Sequence, residues 1–154
     1  MGLEIERKFL VTDNAWKALA TGVPCRQGYL SSAPERNVRV RIEGDKGTLT
    51  VKGASDGVTR AEFEYAIPIE DAAAILDGLC EKPLIEKTRY RIPFGSHTWE
   101  VDEFHGENAG LVVAEVELRS ADEKPALPAW VGREVSSDAR YFNVNLVKKP
   151  FKTW

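Results

Sequence analysis

The chain is short of the residues that most often mark a site. Its 154 residues include two cysteines, two histidines and a single methionine. Cys25 and Cys80 have no metal-ligand spacing and read as reduced thiols of a cytoplasmic protein. His97 and His105 are too far apart to bind zinc from one helix. No apolar run is long enough to span a bilayer, and the acidic start from Glu4 onward argues against a secretory signal. A net charge of −3 removes any global attraction to nucleic acid or to an anionic membrane, so a basic site has to be local. Internal repeats, low-complexity segments and linkers are also missing. A single domain spanning 1–154 is expected, long enough to bury an ordinary core.

What the chain has in quantity is alternation. In Gly2 to Val11, Glu4, Glu6 and Lys8 recur at every second position with Leu3, Ile5, Phe9 and Val11 between them. Side chains in a strand alternate between faces, so the charges share one face and the apolar set, with Arg7 its one charged member, takes the other. The pattern returns in Cys25 to Ser32, Asn37 to Gly44, Thr48 to Lys52, Val58 to Ile67, Leu84 to Phe94, Thr98 to Phe104 and Leu111 to Arg119. Short helices are expected over Ala15 to Ala20, over Glu70 to Leu79 behind Pro68, and from Ser137 or Asp138 through Lys148. Gly53-Ala54-Ser55-Asp56-Gly57 spells the G-x-S-x-G of a hydrolase nucleophile elbow, but that motif needs a helix after it and a strand follows here. It reads as a loop.

The alternating polar positions are sorted by sign. Glu4/Glu6, Glu62/Glu64, Glu100/Asp102 and Glu115/Glu117 are acidic, while Arg39/Arg41 and Lys87/Arg89 are basic. Like charges two residues apart on one face are roughly 7 Å apart and repel by about 0.6 kcal/mol in water. Repeating that arrangement on most strands points to ligands for both sets. About eight strands joined by short turns imply an antiparallel sheet able to close into a barrel that holds one small ligand. Carboxylates suit Mg²⁺ or Mn²⁺ and the bases suit phosphate oxygens, so a metal-bound polyphosphate answers both. On the opposite faces, Val112, Ala114, Val116 and Leu118 with Trp99 and Val101 form an outward apolar strip. A homodimer is expected to cover what the helices leave.

Glu4-Ile5-Glu6-Arg7-Lys8 resembles the E-x-E-x-K signature of the CYTH superfamily, the triphosphate tunnel metalloenzymes. Val38-Arg39-Val40-Arg41, Thr50-Val51-Lys52, Arg60-Ala61-Glu62-Phe63-Glu64-Tyr65, Glu86-Lys87-Thr88-Arg89-Tyr90 and Glu115-Val116-Glu117 support it in order. Gln27-Gly28-Tyr29-Leu30 and Arg140-Tyr141-Phe142-Asn143 are similar to the short bacterial tripolyphosphatase branch. The resemblance implies a mainly β (α+β) fold, an eight-stranded antiparallel closed barrel forming a tunnel with a few flanking helices. It implies metal held by Glu4, Glu6, Glu115 and Glu117, and phosphates clamped by Arg39, Arg41, Lys52, Lys87 and Arg89. Glu62, Glu64, Glu100 and Asp102 would be supporting acids, either metal-linked or orienting the bases.

Lys8 and Tyr29 would act together in catalysis, one of them serving as a base at alkaline pH: a phenolate favoured by the ammonium, or an amine neutralised by arginine crowding. The tail after Leu146 has no counterpart role. The implied activity is metal-dependent hydrolysis of inorganic triphosphate. The alternatives are adenylate cyclase of the same superfamily, thiamine triphosphatase and, outside enzymes, a polyphosphate-binding module.

Overall fold

The structure, a computed structural model, describes residues 2–154; Met1, the first residue of the expected domain, lies outside them. The described residues form nine strands: β1 (Leu3–Val11), β2 (Val23–Ala33), β3 (Arg36–Glu43), β4 (Lys46–Lys52), β5 (Thr59–Ile67), β6 (Ile85–Phe94), β7 (His97–Phe104), β8 (Val112–Glu117) and β9 (Val131–Glu134). They pair in the order β5-β4-β3-β2-β6-β7-β8-β1-β9, and β5 also pairs with β1. That extra pairing closes the ring. One edge of β1 meets β8 from Glu6↔Glu117 to Phe9↔Ala114, while Leu3, Glu4 and Ile5 meet Ala61, Arg60 and Thr59 of β5. The expected eight-stranded antiparallel barrel is therefore present. The short β9 was not foreseen; it pairs with β1 at Phe9 and Val11.

The alternation read from the sequence places the charged faces inward. Glycines with positive φ carry the tight turns, Gly44 (φ 61°) between β3 and β4 and Gly95 (φ 62°) between β6 and β7, where a Cβ would be strained. The segment 53–58 is the connection from β4 to β5, so the G-x-S-x-G spelling is a loop.

Outside the ring, the apolar strip is covered by the chain itself. The expected helix over Ala15 to Ala20 is only a 3-10 turn, Ala15–Ala18, and it delivers Trp16 against Tyr90 with ring centroids 5.1 Å apart. Trp99 packs between Phe9 at 5.5 Å and Trp130 at 6.0 Å, and Ala114, Val116 and Leu118 join the same cluster. With Trp99, Val101 and Ala114 fully buried, this strip gives no reason for a second copy. Helix α1 (Ile69–Gly78) lies across the outside as expected, burying Ala72 and Leu76 against Val40, Ile42 and Leu49.

The last expected helix is broken into a 3-10 turn, Ala139–Tyr141, and α2 (Asn143–Lys148), with Phe142 extended between them. Asp138 caps the first piece by accepting from Arg140 N at 3.1 Å. Leu146 and Val147 of α2 pack with Tyr29, Ile85, Phe104, Leu111 and Val113. The inward positions of β6, β7 and β8 thus turn from charged to apolar at one end, and α2 closes that end. The tail has a structural role here. Phe151 donates its backbone N–H to Asn108 Oδ1 at 2.8 Å, and the Trp154 ring lies 5.1 Å from those of Tyr141 and Phe151, clamping α2 in place. Among the described residues no helix is long and apolar enough to cross a membrane.

Candidate active site

Strand order converts the sign-sorted strands into two walls. Lys52 of β4, Arg39 and Arg41 of β3, and Lys87, Arg89 and Arg91 of β6 form a basic arc, with Tyr29 of β2 within it. Glu100 of β7, Glu115 and Glu117 of β8, and Glu4, Glu6 and Lys8 of β1 complete the circle on a mainly acidic arc. Strand β5 contributes Arg60, Glu62 and Glu64 where the two meet. These groups line one polar cavity of about 220 Å³, and every residue expected at the site except Asp102 borders it.

Asp102 lies behind that lining and is 1% exposed. It accepts from Arg89 Nε and Nη2, both at 2.8 Å, and its second oxygen is 2.9 Å from Lys87 Nζ. Burial opposes its charge, but the two cations outweigh burial and hold its carboxyl well below the usual range. Glu100 lies 3.4 Å from Arg89 and 3.0 Å from Arg91, Glu62 3.5 Å from Lys52, and Glu64 3.7 Å from Arg39. Of the two roles open to these acids, orienting the bases is the one their contacts match.

The remaining carboxylates are crowded as well as paired, with Glu4 on Lys52 and both Glu6 and Glu115 on Lys8. Burial, with Glu115 beside it, pushes Glu6 up to about 7; burial also raises Glu4 and Glu117. Glu115 moves the other way despite burial, because Lys8 and Arg89 stand against it. Such a set fits a hard divalent cation, which would relieve the mutual repulsion of Glu4, Glu6 and Glu117. In this geometry Lys8 Nζ fills part of that role, 3.1 Å from Glu6 and hydrogen-bonded to Glu115. Among the described residues the acids do not converge into a ready-made metal cluster.

No hydrogen bond joins Lys8 and Tyr29, the pair expected to act together, and neither group is poised as a base. Burial would lower the Lys8 ammonium, but Glu115 and Glu6 overcome it and hold the pKa above that of an ordinary lysine. The arginines that were expected to neutralise Lys8 stand on the opposite arc. Burial raises Tyr29 in spite of Arg39 and Arg41. Its Oη accepts from Gln27 Nε2 at 3.2 Å, which leaves the phenolic proton free to donate into the cavity.

Gln27 and Asn143 are polar residues for which no role was expected. Gln27, fully buried, accepts from Arg41 Nε at 3.1 Å and donates to Asn143 Oδ1 at 3.2 Å; Asn143 also accepts from Lys87 Nζ at 2.9 Å. One amide pair therefore fixes Tyr29, Arg41 and Lys87 together. The period-two pattern does place Gln27 beside Tyr29 on one face. Nothing local places Asn143, which arrives on α2 only once the barrel is closed.

A family model described as the CYTH domain matches residues 2–151. The chain belongs to the CYTH domain family. A curated relative named inorganic triphosphatase, from Acetivibrio thermocellus, is 55% identical over 154 residues, covering 100% of this chain and 99% of its own. A crystal structure of an inorganic triphosphatase is 32% identical with a TM-score of 0.63, covering 93% of this chain and 96% of that one. A protein of Pyrococcus horikoshii shares the fold alone, at 20% identity, a TM-score of 0.58, and coverage of 77% and 80%. The tunnel expected of a CYTH protein is the ring described above.

Proposed function

We propose that the protein hydrolyses inorganic triphosphate inside the barrel, with a divalent metal. The observation that carries this is the two-walled lumen, in which a polyanion can meet the basic arc only if a cation stands between it and the acidic one. The 55% identity to a protein named inorganic triphosphatase along its whole length supports the same conclusion.

Glu4, Glu6, Glu115 and Glu117 would hold Mg²⁺ or Mn²⁺, whose chemistry there is to neutralise and polarise phosphate oxygens. Arg39, Arg41, Lys52, Lys87 and Arg89 bind and align the phosphates, Arg41 held in place by Gln27 and the others by Asp102, Glu100, Glu62 and Glu64. Water attacks the terminal phosphorus, the anhydride bond breaks, the water's proton passes to the phosphate oxygens of the products, and orthophosphate and pyrophosphate leave. Lys8 and Tyr29 keep their protons, at Nζ and Oη, and act as donors to the reacting oxygens.

The deciding experiment sets phosphate release from tripolyphosphate against cyclic AMP formation from ATP, both with Mg²⁺. Cyclic AMP as the main product would overturn the reading, and binding without turnover would leave only a polyphosphate-binding module. The charge pattern also sets a pH dependence. Glu6 must lose its proton to hold metal, and its pKa is near 7, so apparent metal affinity should fall as pH drops through about 7. At limiting Mn²⁺ the acid limb of kcat/KM should therefore lie near pH 7, and it should move to lower pH as Mn²⁺ is raised. A limb that ignores metal concentration would remove Glu6 from the donor set.

A further inference from the structure

Two lining cations of the barrel are not used by the mechanism above, Arg60 and Arg91, and Arg91 is already paired with Glu43 and Glu100. Arg60 stands on the inward face of β5, two residues before Glu62, directly across from Glu4 of β1. That neighbour should pair with it, yet both Glu4 oxygens face Lys52 Nζ instead, at 3.0 and 3.3 Å. Glu62 also turns to Lys52, at 3.5 Å, and Glu64 to Arg39 and Thr50. Among the described residues Arg60 has no carboxylate partner, and its Nε is buried without an acceptor.

A buried N–H with no partner is costly, and native proteins leave few of them. Three other side chains share the feature. Arg7 and Trp99 lie on the outer face of their strands, where Arg7 Nε stands 3.8 Å from Glu134 and Trp99 packs between Phe9 and Trp130. Arg39 lies in the lumen, and it is one of the phosphate-clamping residues named above. Arg60 has the same two properties as Arg39, a guanidinium bordering the cavity and an idle Nε donor. Guanidinium forks match phosphate oxygens in geometry and charge.

We propose that Arg60 is a further substrate-binding residue, donating to phosphate oxygens from the β5 wall beside the 53–58 connection. This rests on the triphosphate reading and extends the clamp past Lys52, to the seam where β5 meets β1. The contact is made in ground and transition states alike, so its loss should appear in KM.

The test compares Arg60→Gln, Arg60→Lys and Arg39→Gln with the unaltered protein, using tripolyphosphate and saturating Mn²⁺. Arg60→Gln should raise KM by roughly tenfold to a hundredfold with kcat changed by less than about threefold. Arg60→Lys should recover part of the loss, because charge returns without the fork. The ligand-free melting temperature of Arg60→Gln should be unchanged or higher, since an idle buried donor has been removed. An unchanged KM overturns the proposal, and so does a loss of activity that tracks a fall in the ligand-free melting temperature. If the unaltered protein leaves tripolyphosphate intact, it is the function that fails; if Arg39→Gln raises KM and Arg60→Gln does not, Arg60 alone is excluded.

Discussion

In excess EDTA the protein is expected to release no phosphate from tripolyphosphate, and Glu115→Ala is expected to lower turnover on the order of a hundredfold or more even in saturating metal. Glu115 joins both halves of the site. Its carboxylate faces Lys8 and lies 3.3 Å from Arg89, while its strand neighbour Glu117 faces Glu6 across the β1–β8 ladder. Removing it takes one donor from the acidic arc and leaves two buried cations with one partner fewer. Phosphate release measured across a Mn²⁺ titration separates these effects. Glu115→Gln keeps the shape and loses only the charge, so it should need more metal for half-maximal rate than the unaltered protein. Wild-type turnover and metal dependence in Glu115→Ala would show that the cation binds elsewhere.

The barrel and most of its lining were legible because period two is a rigid consequence of strand geometry. Once Glu4, Glu6 and Lys8 share a face, closure of the sheet decides that they line the same cavity as Arg39 and Lys52. Contacts set by tertiary approach were not legible. The choice of Lys8 to pair with Glu115 rather than meet Tyr29 depends on β8 lying next to β1 while β2 stands elsewhere in the ring. That adjacency makes Lys8 more firmly protonated, where arginine crowding had been expected to neutralise it. Sequence order alone cannot tell the two cases apart.

The C-terminal third was the hardest to read, for the same reason. The four residues of β9 are too few to show alternation, and their role appears only where Glu134 approaches Arg7 at 3.8 Å and the neighbouring Ser136 Oγ accepts from Lys8 N at 3.0 Å. This accounts for Arg7 on an otherwise apolar face. The apolar strip on β7 and β8 was identified correctly, but its cover is Trp16 and Trp130, which sit in segments with too little periodicity to place. Tryptophans in irregular segments beside a naked apolar strip were the signal available.

Asp102→Ala is expected to be among the most destabilising single changes in the lumen, by about 3–5 kcal/mol, because it leaves Lys87 and Arg89 charged and unpaired away from water. Both cations are nearly fully buried, at 2% and 4% exposure. Burial, reinforced by Arg89 and Arg41, already brings Lys87 down to about 8, with Asp102 the main opposing charge. Without it, the protein must either lose the Lys87 proton or unfold more readily. Asp77→Ala is the control, since its pair with Arg26 is solvent-exposed and should contribute less than about 1 kcal/mol. Urea unfolding monitored by tryptophan fluorescence measures both, with equal m-values as the sign that the same surface is exposed. The difference should also depend on pH. Asp102 is depressed in the folded state, so its contribution is complete above the unfolded carboxyl value of about 4 and is lost as pH falls below that. The gap between Asp102→Ala and the unaltered protein should therefore narrow on acidification, and it should narrow again on the alkaline side, where Lys87, already lowered to about 8, sheds its proton and no longer needs a partner. A gap under 1 kcal/mol at neutral pH would mean that Lys87 and Arg89 find other partners, and that Asp102 does not set the geometry of the basic arc.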